Sequence, residues 1–112
     1  MTAQQTAADL LSAANHIQRY GWKQGGFGLS GKPCCARGAI QVAVYGCTIM
    51  EHFALRSITS EEWERERSAT EAVEEVLESA SSLAWWNDSP SRHKGEVVCK
   101  LREAAERVFP NG

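Results

Sequence analysis

Apolar residues recur along this chain at the three- and four-residue spacing that puts them on one side of an α-helix. The first such segment runs from about Ala3 to Tyr20, with Thr2 at a capping position and Gly21 where a C-terminal cap belongs. Its predicted buried stripe comprises Ala3, Ala7, Leu10, Leu11, Ala14 and Ile17. The segment therefore predicts an amphipathic helix with one buried face.

The second helical pattern runs from about Cys34 to Tyr45 and is apolar on nearly every side. Pro33 suits its first turn, and Gly46 ends or bends it. A helix of this kind belongs at the centre of a small domain, flanked by the others. Residues Cys47 to Leu55 predict a short helix that follows it.

Two further long helices complete the pattern. One starts after Thr59, which has capping-box spacing to Glu62, and is predicted to run to about Leu83. The other runs from about His93 to Phe109. Their predicted stripes comprise Ala69, Val73, Val76, Leu77, Ala80 and Leu83 in the first, and Val97, Val98, Leu101, Ala104, Ala105 and Val108 in the second.

These elements predict an all-α fold, a single-domain bundle of four main helices plus a short one around the central apolar helix. The length of 112 residues suits one domain over residues 1–112, and 43% hydrophobic with 23% charged residues is typical of a folded globular chain. Trp85 to Ser91, rich in turn-forming residues, predicts the turn before the last helix.

Composition also limits the classes of partner that the protein is expected to bind. A formal net charge of −2 gives no general electrostatic case for nucleic acid. The longest apolar run, Ala39 to Met50, is too short to span a bilayer, and the N-terminus has no export-signal pattern. We therefore expect a cytoplasmic protein with no nucleic-acid or membrane partner.

Four cysteines without an export signal are expected to be free thiols in a reducing cytoplasm. Cys34 and Cys35 fall in the predicted first turn of the second helix, where the helix dipole and Arg37 would lower a thiol pKa. Catalysis also needs a base, and no local signature connects a histidine to either thiol. Packing is therefore the favoured role for both, and for Cys47 and Cys99 as small core residues.

Residues Gly21 to Pro33 predict a glycine-rich loop, and its segment Gly26 to Lys32 matches two phosphate-loop patterns at once. A true phosphate loop follows a buried strand, whereas a helix is predicted here, and Pro33 stands where Ser or Thr would hold magnesium. We therefore expect a connector without a nucleotide, although Lys32 leaves weak anion binding open. Zinc is disfavoured because Cys34 and Cys35 are adjacent and Cys47 and His52 are five apart, so neither metal nor cofactor is predicted.

Tryptophans and polar turn residues supply the remaining candidates. Trp22 and one of Trp85 and Trp86 are predicted to cover the ends of the core, which leaves the other partly exposed, as in many interfaces. Asn87 and Asp88 are predicted to cap the last helix or to tie back the glycine-rich loop. Residues Glu61 to Glu78 hold eight glutamates, which predicts a solvated face that complements the more basic last helix, or else an acidic binding surface.

Several short motifs resemble a small uncharacterised family of actinobacteria and their bacteriophages. They comprise Ile17-x-x-Tyr20-Gly21-Trp22-x-Gln24-Gly25, Cys35-Ala36-x-Gly38-Ala39-Ile40, Trp86-Asn87-Asp88, Glu96-Val97 and Leu101-x-x-Ala104. The resemblance covers most of the chain apart from the stretch around Ser57 to Ala69, and it departs at His93, where a better capping residue such as Thr is expected. It implies a small, mostly helical cytoplasmic protein, encoded by a phage or its host, and it implies no activity.

Two functions remain open at this point. The favoured one is a non-enzymatic interaction protein, a phage accessory factor that binds a host protein or self-associates. The alternative is a small-molecule-binding protein or cysteine-dependent enzyme, with a pocket between the glycine-rich loop and the Trp-Trp-Asn-Asp turn. The candidate residues for either function are Trp22, Lys32, Cys34, Cys35, Trp85, Trp86, Asn87 and Asp88.

Overall fold

Six helices form the framework of residues 2–52, 57–77 and 81–110, the parts of the chain that the computed structural model describes. They are α1 (Ala3–Tyr20), α2 (Ala36–Tyr45), α3 (Ile49–His52), α4 (Ser60–Glu75), α5 (Leu83–Asn87) and α6 (Lys94–Val108). The predicted all-α fold is confirmed. Two short helices, α3 and α5, accompany the four long ones, where the sequence predicted one.

Helix α1 packs against α2, α4 and α6. It runs antiparallel to α6, because Lys94 at the start of α6 donates to the Gln18 carbonyl near the end of α1, while Phe109 after α6 lies beside Gln4. Its capping residue is as predicted, because Thr2 Oγ1 accepts a hydrogen bond from the Gln5 backbone N–H at 3.0 Å. Leu10 and Ile17 lie fully buried on its inner face. Two members of the predicted stripe were wrong: Ala3 is exposed and Leu11 is 45% exposed.

Helix α2 starts later than predicted. Cys35 is its N-cap, with Sγ accepting from the Gly38 N–H at 3.3 Å, so Cys34 and Pro33 precede the helix. Gly46 ends it in the left-handed conformation at φ 84°, as expected. The helix is largely buried, but its main neighbours are α1, α4 and α5, while α6 packs on α1 and α4.

Helix α4 has the predicted capping box: Thr59 Oγ1 accepts from the Glu62 N–H, and a Glu62 carboxylate oxygen accepts from the Thr59 N–H, both at 3.1 Å. It ends at Glu75 rather than near Leu83, because Leu83 begins the separate helix α5. A Glu74 carboxylate oxygen accepts from the Leu83 N–H at 2.7 Å, joining the two helices. The predicted core position Ala80 lies outside the described residues.

Buried polar contacts fix α4 against its neighbours. Glu66 is 5% exposed and accepts from Arg37 Nε, Gln41 Nε2 and the Tyr45 hydroxyl, at 3.0, 3.0 and 2.6 Å. These three donors are four residues apart, so they share one face of α2. Burial, followed by the contact with Glu66, raises the pKa of the Tyr45 hydroxyl, which stays protonated.

A partly buried ion pair links α4 to α1. Arg65 donates to both carboxylate oxygens of Asp9, at 2.8 and 3.2 Å. The cross-helix ion pairs of α4 thus reach α1 and α2, whereas the sequence suggested complementarity with the basic last helix. Within the described ranges, no helix is long and apolar enough to cross a membrane.

Candidate functional site

Asn87, at the end of α5, is the polar centre of the predicted site. It is fully buried, and its side-chain oxygen accepts from Trp22 Nε1 at 2.7 Å and from the Ala36 N–H at 2.9 Å. Its amide nitrogen donates to the Lys23 carbonyl at 3.2 Å and to an Asp88 carboxylate oxygen at 3.0 Å. Both polar atoms of the Asn87 side chain are therefore hydrogen-bonded, and its oxygen provides the acceptor for the first N–H of α2.

Neighbouring contacts extend this connection to the start of the glycine-rich loop. The same Asp88 oxygen accepts from the Gly25 N–H at 3.0 Å. Gln24 Nε2 donates to the carbonyls of Asn87 and Ser89, at 3.1 and 2.8 Å. The prediction that Asn87 and Asp88 tie back the loop is confirmed. The alternative, that they cap the last helix, is wrong because His93 is the N-cap of α6.

The far half of the loop is held by a second carboxylate. Glu51 accepts from the Ser30 N–H and hydroxyl at 2.8 and 2.9 Å, and from the Thr48 N–H at 2.8 Å. Burial alone would raise the pKa of Glu51, but the hydrogen bonds from Thr48 and Ser30 together lower it. His16 Nε2 accepts from the Gly31 N–H at 3.0 Å, and burial lowers the pKa of this histidine against the opposing effect of Glu51.

Backbone N–H groups of the phosphate-loop motif have hydrogen-bond partners within the protein. The Ser30 and Gly31 N–H groups donate to Glu51 and His16, and the adjoining Gly25 N–H donates to Asp88. Helix α1 precedes the loop, as predicted, where a nucleotide site would have a strand. Lys32 is exposed, and its backbone N–H donates to the Leu29 carbonyl at 3.1 Å.

The tryptophans divide as predicted. Trp86 is buried, with the Arg92 guanidinium 4.0 Å from its ring centre, and Trp22 is partly buried against the core. Trp85 is 71% exposed. Of the adjacent pair, one ring packs inside and the other faces solvent.

The two adjacent cysteines do not have the activated thiols that a position in the first helical turn would give. Cys34 is fully buried ahead of α2, and burial, more than any nearby charge, raises its pKa to about 11. Burial also raises the pKa of Cys35 and outweighs the helix N–H groups that donate to its sulfur. Both thiols are therefore protonated at neutral pH, and the predicted lowering of their pKa was wrong.

A cavity of about 210 Å³ does lie between the loop and the end of α5. Trp85, Trp86 and Asn87 belong to this helix, so their predicted place in a turn was wrong. Its lining includes Cys35, Asn87 and Asp88 from the candidate set. The same set contains residues that do not line it, namely Trp22, Lys32, Cys34, Trp85 and Trp86. The volume is below the roughly 300 Å³ at which ordinary ligand sites begin. In the described ranges no three His, Cys, Asp or Glu side chains are grouped to hold a metal, and the His52 side chain lies outside them.

The sequence reasoning missed a larger surface feature, a groove between α1 and α6. Its two adjoining parts have volumes of about 440 and 530 Å³. We call this the α1–α6 groove and define it by Ala8, Leu11, Cys99, Arg102, Glu106 and Phe109. Leu11 and Phe109 are 45% and 48% exposed, and Cys99, predicted to be a core residue, is exposed as well.

A signal for this groove was present in the sequence. Leu11 directly follows the buried Leu10, so the two leucines cannot both point to the same core. Cys99 on α6 and Phe109 directly after this helix do not belong to the stripe that includes Val97 and Leu101. Apolar residues in excess of one buried stripe indicate a second apolar face.

Comparison with known proteins gives a family without an assigned activity. The model of a family described as a family of unknown function, DUF6197, matches residues 1–107. No curated protein and no solved structure matches the chain.

Proposed function

This chain belongs to the DUF6197 family, which carries no activity over to it, and we propose that it is a small non-enzymatic interaction protein that docks through the α1–α6 groove. The partner is another protein or a second copy of the chain. The resemblance of its motifs and its free thiols support a cytoplasmic setting in an actinobacterial or phage-infected cell, as an accessory factor.

The half-exposed apolar side chains of the groove carry this proposal. Leu11 projects from α1 and Phe109 follows the last turn of α6, so they border the same depression from two helices. Exposed apolar rims around a concave surface are typical of protein interfaces. Arg102, Glu103 and Glu106 supply the polar border that such interfaces have.

Site-specific photo-crosslinking in the producing cell tests the proposal. A photoreactive residue replaces Leu11 in one variant and Phe109 in another. Ser12, which is exposed on α1 but does not line the groove, is the matched control position. We expect discrete adducts from the two groove positions and none from Ser12.

The crosslinking results also separate this surface from the exposed tryptophan. Adducts from Trp85 combined with none from Leu11 and Phe109 would move the interaction to α5 and refute docking in the groove. A complete lack of adducts at all these positions would refute the interaction function itself.

A second candidate function rests on the 210 Å³ cavity, where the Cys35 thiol lies close to the Asp88 carboxylate. It is a binding protein for a very small molecule or a cysteine-dependent enzyme. The raised thiol pKa and the small volume count against it.

Alkylation at pH 7 with mass-spectrometric mapping distinguishes the two candidates. We expect the exposed Cys99 to react first, with Cys34 and Cys35 at least tenfold slower, because the thiolate is the reactive form. Modification of Cys35 ahead of Cys99 would favour the cavity function.

A further inference from the structure

We propose that the occupant of the α1–α6 groove is the α6 helix of a second copy, in an antiparallel arrangement with its two-fold axis near Arg102. The inference rests on the proposed interaction function and adds the identity of the partner. It follows from the spacing, shape and charge of the α6 residues that face the groove.

These residues form one line along α6 and its C-cap, which we call the seam. Gly95, Cys99, Arg102, Glu106 and Phe109 follow one another at intervals of four, three, four and three. This alternation keeps one line of side chains facing a partner helix over several turns. The seam is separate from the buried stripe that packs α6 against α1 and α4.

The two ends of the seam are complementary in size. Phe109 lies seven residues after Arg102 and Gly95 lies seven before it, about 10 Å to either side at 1.5 Å per residue. An antiparallel pair centred on Arg102 therefore sets the Phe109 ring of each copy opposite Gly95 of the other. A Cβ added at Gly95 would meet no atom within 4 Å, so the space for an incoming ring is open.

Charge follows the same two-fold relation. In the centred pair, the two Arg102 side chains face each other at the axis, and Glu103 and Glu106 of each copy lie within about one helical turn of Arg102 of the other. Glu103 is also ion-paired with Lys100 of its own chain at 3.0 Å. The four carboxylates offset the repulsion between the two guanidinium groups. A parallel pair would place Glu103 and Glu106, as well as Arg102, beside their own equivalents, which disfavours that arrangement.

The size of the surface predicts the strength of the dimer. Helix α1 has 18 residues and α6 has 15, which corresponds to about 27 and 22 Å of length. A face of that length and two helices wide gives about 900 Å² for the two copies together, below the roughly 1,200 Å² at which specific, stable interfaces begin. The dimer is therefore weak, with a dissociation constant on the order of 10 μM or above, and forms in a concentration-dependent way.

Analytical ultracentrifugation of the full chain from about 1 μM to 1 mM tests this inference. The wild-type protein is expected to shift from monomer to dimer within that range. Leu11→Glu and Phe109→Asp are expected to weaken dimerisation at least tenfold. Leu29→Glu, which changes a similarly exposed apolar residue in the loop, is the matched control and should leave it unchanged.

A disulfide tests the position of the axis. In a Cys99→Ser background, Arg102→Cys places a thiol of each copy close to the axis and should give a covalent dimer on mild oxidation. Arg107→Cys, exposed on α6 outside the seam, should give far less. Circular dichroism of each variant confirms that α-helical content is kept.

The outcomes separate this inference from the proposed function. A wild-type chain that stays monomeric at 1 mM while position 11 crosslinks to a different protein overturns the dimer and leaves the interaction function standing. A dimer that Leu11→Glu and Phe109→Asp leave intact, or one that Arg107→Cys traps as well as Arg102→Cys, overturns the proposed interface.

Discussion

Replacing Asn87 with alanine is expected to destabilise the protein by about 3–5 kcal/mol. The change removes four hydrogen bonds, to Trp22, Ala36, Lys23 and Asp88. A typical net contribution of about 1 kcal/mol for each gives about 4 kcal/mol. The Ala36 N–H is buried and loses its acceptor, which costs about 1–3 kcal/mol by itself, while the more exposed Asp88 recovers a water. The sum is a large part of the stability of a small domain.

Urea unfolding followed by circular dichroism measures this effect, with Asp88→Asn as the control. Asp88 is exposed, and asparagine keeps an oxygen for the Gly25 N–H, so the control should lie within about 1 kcal/mol of wild type. A double-mutant cycle with Trp22→Phe should show about 1 kcal/mol of coupling to Asn87→Ala. An Asn87→Ala protein as stable as the control would show that the buried amide does not hold the loop in place.

Two other predictions concern contacts of the glycine-rich loop. Gly38→Ala should lower the free energy of unfolding by at least about 2 kcal/mol, because the added Cβ would lie 2.0 Å from the Phe27 carbonyl oxygen. The control Gly95→Ala on α6 should raise the free energy of unfolding by about 0.5 kcal/mol at micromolar concentration. Equal effects of the two substitutions in thermal unfolding would rule out the close contact at Gly38. Glu51 has a lowered pKa in the folded chain, so its contribution to stability is complete above the unfolded pKa of about 4.3 and is lost as the pH falls through the folded value. The stability difference between wild type and Glu51→Gln should therefore shrink from pH 7 to pH 3 in urea titrations, and a constant difference would contradict the assigned hydrogen bonds.

Local signals in the sequence were sufficient for most of the helices. Thr2 and the Thr59–Glu62 pair marked two helix starts correctly, and Leu10 and Ile17 marked a buried face. The start of α2 was harder to predict, because Cys35, the residue that caps it, is of an uncommon type for an N-cap.

Contacts between distant residues set the limit of what could be predicted for the site. The turn chemistry of Asn87 suggested a tie to the loop, but not that its oxygen would accept from both Trp22 and Ala36, 65 and 51 residues away. Cys34 shows a related limit: the local argument lowers its thiol pKa, whereas burial in the folded chain raises it. The sequence analysis did not single out the three polar side chains of α2 that share Glu66 as acceptor, because this contact depends on how α4 packs.

The ties between the glycine-rich loop and α5 also bear on the order in which the chain folds. Trp22, Gln24 and Gly25 find their partners 63 to 65 residues later in the sequence. On the ribosome, a nascent chain that ends before residue 87 has α1 and α2 but lacks the side chain that bridges the loop to the first N–H of α2. The loop therefore acquires its native form after most of the chain has been synthesised. Helix α1 packs against α6, so its native packing also requires the last helix. A protein of this design completes folding only once α6 has been synthesised, and shorter nascent chains expose the apolar faces of α1 and α2 to other proteins in the cell.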